Sequence, residues 1–201
     1  MTDKFALLNE PRRPWLEADW LKQKFLALAA DLHPDRVHNA DDAEKSTATK
    51  RYAELNAAYH CLLEPKSRLL HLLELERGAK PPDIQQIPNA LADLFATVAT
   101  ACRGADAFLL EKGRATSPLV RVQFFEQEHD WVRRLNELKG ILAGLRENLT
   151  NELKSLDSEW LAKDPIARQG LLPKLEQLYR LFGYLNRWSS QLQERIVQLA
   201  F

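Results

Sequence analysis

An all-α fold is the class that this sequence predicts, and two observations carry the prediction. Apolar side chains recur every three or four residues along most of the chain, which places them on one face of a helix. No segment shows a long strict alternation of apolar and polar residues, as a half-buried strand would. The expected architecture is an N-terminal domain of four helices followed by a C-terminal bundle of three helices.

The first two predicted helices precede residue 33. A short helix holds Phe5 and Leu8 and stops at Pro11. The second spans residues 17–32 and ends because Pro34 disfavours helical geometry at the residue before it and supplies no N–H. One apolar stripe runs along this second helix, formed by Trp20, Leu21, Phe25, Leu28 and Leu32.

The third and fourth helices lie on either side of Pro65. Asp41 and Glu44 have the spacing of a capping box, which predicts a helix start there. Pro65 ends the third helix and suits the first position of the fourth. Gly78 stands where a C-terminal cap is expected. The apolar stripe of the third helix consists of Tyr52, Leu55, Tyr59 and Leu62.

The C-terminal part shows the longest helical repeats. Its three helices are expected over residues 89–112, from Pro118 through Trp160, and from Pro165 through Leu199. Asp164 precedes Pro165, so the two form an N-cap and first-position pair for the last helix. Apolar residues of that helix follow a heptad. Two long antiparallel helices with a third packed on them make a small bundle.

Helix-breaking residues separate the two halves. Gly78, Pro81 and Pro82 form the densest cluster, and Pro88 closes it. We therefore expect a domain at 1–78, a linker at 79–88 and a C-terminal helical bundle at 89–201.

The charge balance of the chain disfavours nucleic acid as a partner. The 201 residues hold 28 basic and 28 acidic side chains. With no basic excess to displace counterions, we expect no nucleic-acid binding. No apolar run has membrane-spanning length and the first residues lack a signal-peptide core, so we expect no membrane association.

The cysteine and glycine patterns predict neither a metal nor a cofactor. Cys61 and Cys102 lie far apart with no CxxC spacing, which disfavours a disulfide framework and indicates a reducing, cytoplasmic location. Glycine-rich loops that hold nucleotide phosphates are missing. We expect a monomer without cofactors.

The most informative residues are His33, Pro34 and Asp35. They follow an amphipathic helix and precede a polar loop and a further helix. Two other interpretations are a simple helix stop and a metal site that adds His38. The spacing of the second matches no recognised ligand set.

The arrangement over residues 3–77 resembles the J domain of the Hsp70 co-chaperones. It is more closely similar to HscB, the co-chaperone of iron–sulfur cluster assembly, in which a helical bundle follows the J domain. The residues that carry the resemblance are His33-Pro34-Asp35, Leu55-Asn56-Ala57-Ala58-Tyr59, Pro65, Phe5, Lys24-Phe25, Arg68, His71-Leu72-Leu73-Glu74-Leu75 and the last helix from Leu181 through Ser190.

The resemblance implies a mechanism without a catalytic centre in this chain. In J proteins the His-Pro-Asp turn docks on an ATP-bound Hsp70-family chaperone (here HscA-like) and promotes hydrolysis there, which traps the client. Pro34 stiffens such a turn, Asp35 offers a carboxylate to a bidentate arginine of the partner, and His33 supplies an oriented ring. The further Hsp70-binding candidates are Lys22, Lys24 and Arg36.

The second helix departs from the family pattern. Leu26, Ala27 and Asp31 occupy positions that are often basic in J domains. A weak positive patch predicts slower chaperone recruitment that depends less on salt.

The resemblance also implies a client site on the first helix of the C-terminal bundle. HscB proteins bind the iron–sulfur scaffold protein (IscU-like) there through apolar and acidic side chains. The candidates in this chain are Leu91, Asp93, Leu94 and Phe95. Ala96, Thr97, Ala99 and Thr100 replace the acid-rich continuation, and the apolar candidates also fit a bundle core.

Three functions remain open. The leading one is a co-chaperone that delivers an iron–sulfur scaffold to an Hsp70, and the second keeps the J domain but changes the client. The third is a helical adaptor that retains a vestigial motif and pairs through its heptads. The Ser, His and Asp residues show no sequence arrangement that indicates a catalytic triad, so we do not expect an enzyme.

Overall fold

The computed structural model describes residues 2–32, 41–82, 87–114 and 118–200, and every regular element in these ranges is helical. The all-α class is therefore confirmed. How the helices divide into a four-helix and a three-helix domain stays a prediction. The α-helices are α1 (Lys4–Leu7), α2 (Ala18–Leu32), α3 (Asp42–Leu63), α4 (Pro65–Arg77), α5 (Ala92–Arg114), α6 (Pro118–Ala162), α7 (Pro165–Arg168) and α8 (Leu172–Ala200).

Side-chain caps set the ends of α3 and α4. The Asp41 carboxylate accepts a hydrogen bond from the Glu44 N–H at 2.8 Å. The Glu64 carboxylate likewise accepts the Ser67 N–H at 2.7 Å, and α4 begins at the next residue, Pro65. At the other end Gly78 adopts a left-handed conformation (φ 71°), and its N–H donates to the Glu74 carbonyl at 2.9 Å. These contacts satisfy backbone groups that a helix end leaves unpaired.

The last predicted helix is interrupted, which corrects the expectation of one helix from Pro165 onward. Asp164 does cap α7, but α7 is a single turn, and a 3-10 turn at Gln169–Leu171 separates it from α8. The reason is Pro173, which has no N–H to donate to the carbonyl four residues earlier. A 3-10 turn at Asn89–Leu91 likewise delays the start of α5 to Ala92.

The chain packs as two compact units. The N-terminal unit comprises residues Met1–Pro82 and Thr150–Leu181, and the C-terminal unit comprises Asp83–Leu149 and Phe182–Phe201. This partition assigns residues 150–181 to the unit that contains the first four helices. The two units are defined by packing. The division of the chain into residues 1–78, 79–88 and 89–201 stays a prediction.

Leucines dominate the core of the N-terminal unit. Trp160 is its largest fully buried side chain. The other buried apolar residues include Phe5, Leu8, Leu21, Leu55, Leu62, Leu69, Leu72, Leu73, Leu153, Leu156, Leu175 and Leu178. His71 is also buried, and its Nε2 accepts a hydrogen bond from the Lys4 N–H at 3.0 Å. Burial lowers the pKa of His71, which favours the neutral imidazole that can accept this bond.

The C-terminal unit has a separate core built from α5, the first part of α6 and the second part of α8. Its members include Val98, Ala101, Phe108, Leu135, Leu142, Leu185, Trp188 and Leu192. Gly104 lets α5 approach α6 closely, because a Cβ at this position would lie 2.4 Å from Cη2 of Trp131. The absence of a side chain at Gly104 therefore makes the space that the Trp131 ring fills.

Candidate functional site

Two helices lie on either side of the His-Pro-Asp motif in the sequence. Helix α2 ends at Leu32 and α3 begins at Asp42. His33, Pro34, Asp35 and Arg36 lie outside the described residues, as does His38 of the alternative metal interpretation. Phe25 of α2 stacks on Tyr59 of α3 with ring centroids 4.5 Å apart, so the two helices that lead to and from the motif are packed together.

The two candidate lysines of α2 differ in their surroundings. Lys22 is exposed. Lys24 is half-buried, and its ammonium lies 2.7 Å from a Glu10 carboxylate oxygen and 2.8 Å from the Asn9 carbonyl oxygen. It also lies 5.3 Å from the centroid of the Trp20 ring. The charge of Lys24 is thus compensated within the chain, whereas that of Lys22 is presented to solvent.

Arg68 has an internal role in the fold. It is buried, and its Nε and Nη1 donate to the carbonyl oxygens of Pro14 and Leu62 at 2.7 and 2.6 Å. Its guanidinium lies 5.3 Å from the Trp15 ring centroid. Burial lowers the pKa of Arg68 to about 10, which leaves it charged at neutral pH. Arg68 therefore holds residues 10–17, hereafter the connecting segment between α1 and α2, against the third and fourth helices.

The connecting segment is also bound by the end of α6. Asp157 is buried and accepts hydrogen bonds from the Arg13 guanidinium through both of its carboxylate oxygens, with the Arg13 Nε at 3.0 Å. The same carboxylate accepts the Trp15 N–H at 3.0 Å. The hydrogen bond to Asp157 raises the pKa of Arg13. A second link joins the Trp160 indole N–H to the Arg12 carbonyl at 2.9 Å.

Sequence reasoning did not identify this arrangement. Arg13 and Asp157 are 144 positions apart, and no spacing rule connects them. The signal available in the sequence was Trp15 at the end of the run Pro11-Arg12-Arg13-Pro14, because a tryptophan is on average highly buried and is unusual in a solvated loop. The arrangement fixes the start of α2, the helix that leads to the motif.

The candidate client residues belong to the C-terminal unit, where Leu91 ends the 3-10 turn and Asp93, Leu94 and Phe95 lie in the first turn of α5. Leu91 and Leu94 are half-buried and pack against the core of that unit. Asp93 is exposed, and Phe95 is 42% exposed. The Phe95 ring lies 6.1 Å from the ring of Trp188, which in turn lies 5.8 Å from Tyr184. Leu91 and Leu94 thus pack partly in the core, while Phe95 offers an exposed aromatic surface beside Trp188 of α8.

Within the described ranges, no group of three or more His, Cys, Asp or Glu side chains is arranged to hold a metal ion. Cys61 and Cys102 are both free thiols, and burial raises the pKa of Cys102. Such a thiol behaves as a small apolar side chain. Among the helices that can be described, none is long and apolar enough to cross a bilayer.

No protein-family model matches the chain. Curated relatives are nevertheless found in several bacteria under the name "Co-chaperone protein HscB homolog". The one from Chromobacterium violaceum is 37% identical over 73 residues, which is 36% of this chain and 42% of that protein. The one from Bordetella petrii is 38% identical over 91 residues, which is 45% of this chain and 51% of that protein. The chain thus matches about half the length of these relatives.

Two solved structures share the fold. HscB from Vibrio cholerae matches with a TM-score of 0.60 at 17% identity, and the match covers 96% of each chain. The human co-chaperone HscB has a TM-score of 0.58 at 19% identity and covers 98% of this chain and 81% of its own. The resemblance to the HscB co-chaperones that the sequence motifs indicate is therefore confirmed, in sequence by the curated relatives and in fold over nearly the whole chain.

Proposed function

We propose that this protein is a J-type co-chaperone that docks on an Hsp70-family chaperone (HscA-like) and stimulates its ATP hydrolysis. The observation that carries the proposal is the sequence His33-Pro34-Asp35 between two packed helices in a chain with the HscB fold. The curated relatives are named co-chaperones, which supports a protein that acts on another ATPase and performs no catalysis itself.

The Hsp70-binding residues in this proposal are the motif itself with Lys22, Lys24 and Arg36. Asp35 acts as the acceptor for an arginine of the chaperone. Lys22 is free to meet an acidic group of the partner. Lys24 contributes less, because a partner carboxylate would have to compete with Glu10.

Substitution of Asp35 provides the direct test. We expect the wild-type protein to stimulate the steady-state ATPase of a cognate Hsp70, and Asp35→Asn to reduce this stimulation at least about tenfold, because an amide offers no charge to a bidentate arginine. Glu54→Gln is the matched control, since it changes an exposed carboxylate of α3 in the same way. Absence of wild-type stimulation, or equal stimulation by Asp35→Asn, would contradict the proposal.

The client in this proposal is an iron–sulfur scaffold protein (IscU-like), bound through Leu91, Asp93, Leu94 and Phe95. Support comes from the exposed Phe95 ring next to Trp188 and from the names of the relatives. Exposed aromatic side chains are enriched in protein interfaces and carry much of the binding energy there.

The free thiols Cys61 and Cys102 support a reducing compartment, and we place the protein in the cytoplasm.

Removal of the Phe95 ring tests the client site. We expect Phe95→Ala to weaken binding of an iron–sulfur scaffold about tenfold in isothermal titration calorimetry, because it removes the exposed aromatic surface. Leu110→Ala is the control, as Leu110 is an exposed apolar residue on the same helix. If Phe95→Ala leaves scaffold binding unchanged, the client site lies elsewhere on the protein. Undetectable binding by the wild type would favour a different client.

A further inference from the structure

A cavity of about 370 Å³ lies between α1, α3 and α4 of the N-terminal unit. Its lining residues include Lys4 of α1, Cys61 of α3, and Leu70, His71 and Glu74 of α4. The volume lies within the range of about 300–1,000 Å³ that is typical of small-molecule sites, and it is far larger than a single ordered water needs. The cavity can therefore admit a small organic molecule.

The cavity lies away from the His-Pro-Asp motif. The motif precedes the start of α3 at Asp42, whereas Cys61 lies near the other end of that helix. The 19 residues between Asp42 and Cys61 correspond to about 28 Å along the helix axis. A ligand in the cavity thus serves a function separate from docking on an Hsp70.

Glu74 brings a carboxylate with an unused acceptor to this cavity. Its side chain is 11% exposed. Within the part of the chain that the structure describes, its Oε1 is buried and has no hydrogen-bond partner. The Lys80 ammonium lies 3.9 Å from this oxygen, beyond hydrogen-bond distance, on a side chain that is 79% exposed. Because buried polar atoms are almost always hydrogen-bonded, this carboxylate is suited to accept a donor from a bound molecule.

Lys4 supplies the opposite charge. Its main-chain N–H is bound by Nε2 of His71 at 3.0 Å, which holds the start of α1 against α4. Burial is the main cause of the lowered pKa of His71, and the Lys4 charge lowers that pKa further while the Glu74 charge raises it. Both charged side chains therefore lie near the His71 imidazole, one on each of the two helices.

We propose that this cavity binds a small α-amino acid, with its ammonium group at Glu74 and its carboxylate at Lys4. The ammonium group supplies charged N–H donors to the carboxylate of Glu74, and the carboxylate of the ligand accepts from Lys4. Leu70 provides an apolar wall for the side chain of the amino acid. A ligand with only one of the two charges would leave the other charged group of the cavity without a partner.

The Cys61 thiol reports directly whether the cavity is occupied, because it lines the cavity. It is half-buried, and its Sγ donates to the Ser67 carbonyl at 3.6 Å. The experiment measures the rate at which N-ethylmaleimide alkylates Cys61, followed by peptide mass spectrometry. Cys102 is the internal control, because it lies in the C-terminal unit, is 7% exposed, and has a pKa that burial raises.

The probes are L-alanine, L-leucine and L-glutamine at about 10 mM each. We expect at least one of them to slow the alkylation of Cys61 about threefold or more, which corresponds to a Kd of about 5 mM or below, and to leave the rate at Cys102 unchanged. The analogues of that amino acid without the carboxylate or without the ammonium group should protect less than about 1.5-fold. For L-leucine these analogues are 3-methylbutylamine and 4-methylpentanoate.

Two variants test the charged groups. Glu74→Gln and Lys4→Ala should each remove most of the protection, and Lys4→Ala retains the main-chain N–H that His71 binds. Glu54→Gln is the matched control, since it makes the same change at an exposed position of α3 and should retain full protection. Circular dichroism should give the same helix content for all four proteins.

Three results would overturn the inference. They are the absence of protection of wild-type Cys61 by every probe, equal protection by the singly charged analogues, and full protection in both Glu74→Gln and Lys4→Ala. The first two concern the wild type alone, so they do not depend on the folding of any variant. Because no Hsp70 is present in this experiment, its failure leaves the proposed co-chaperone function unaffected.

Discussion

Replacement of Trp160 with alanine is expected to lower the free energy of unfolding by about 3–5 kcal/mol, because it empties a large volume in the core of the N-terminal unit. The side chain is fully buried. Its indole N–H donates to the Arg12 carbonyl at 2.9 Å, and the Arg168 guanidinium lies 5.2 Å from its ring centroid. The substitution therefore removes apolar contacts and leaves the Arg12 carbonyl without this donor.

The measurement is urea denaturation monitored by far-UV circular dichroism. Fluorescence is unsuitable as the probe, because removal of a tryptophan alters its signal. Trp160→Phe separates the two contributions: it retains most of the ring volume but not the N–H, so we expect a smaller loss of about 1–2 kcal/mol. Leu161→Ala is the control at the next position, where the side chain is 47% exposed. A loss below about 1 kcal/mol for Trp160→Ala would show that the ring does not support the core.

Local chemistry made most of the helices predictable from the sequence. Asp41, Pro65 and Gly78 act on residues within four positions of themselves, and the structure shows the helix ends that their chemistry predicts. The interruption at Pro173 was missed although its cause is also local, because the heptad pattern of leucines runs through it. Hydrophobic spacing records which residues face a core but not whether the helix between them is continuous.

The contacts of the connecting segment could not be predicted in this way. Arg68 was recognised as part of a family pattern, but its partners are the carbonyl groups of Pro14 and Leu62, which no side-chain motif reveals. The compensation of Lys24 by Glu10 likewise depends on how the segment folds back beside α2. Among the candidate client residues, spacing alone could not separate the half-buried Leu91 and Leu94 from the exposed Phe95. The difference depends on which of these side chains pack against the core of the C-terminal unit, and that is set by tertiary packing.

Substitution of Asp157 by alanine is expected to destabilise the N-terminal unit by about 2–4 kcal/mol, because its carboxylate is the shared acceptor of the connecting segment. Without it the Trp15 N–H loses its acceptor, and the Arg13 guanidinium loses both hydrogen bonds to the carboxylate. Arg13 is 28% exposed at its side chain, so water compensates part of its loss, which keeps the expected effect below that of a fully buried charge.

A double-mutant cycle with Arg13→Ala identifies the interaction itself. If the two side chains stabilise the fold through each other, the loss in the double variant will be smaller than the sum of the single losses by about 1–3 kcal/mol. Asp130→Ala is the control on the same helix, because Asp130 pairs with Arg133 in an exposed i,i+3 arrangement whose removal should leave the stability unchanged. Additive losses for Arg13 and Asp157 would mean that the carboxylate acts only through the Trp15 backbone. In that case Asp157 would hold the connecting segment by its main chain, and any contribution of Arg13 would be independent of the carboxylate.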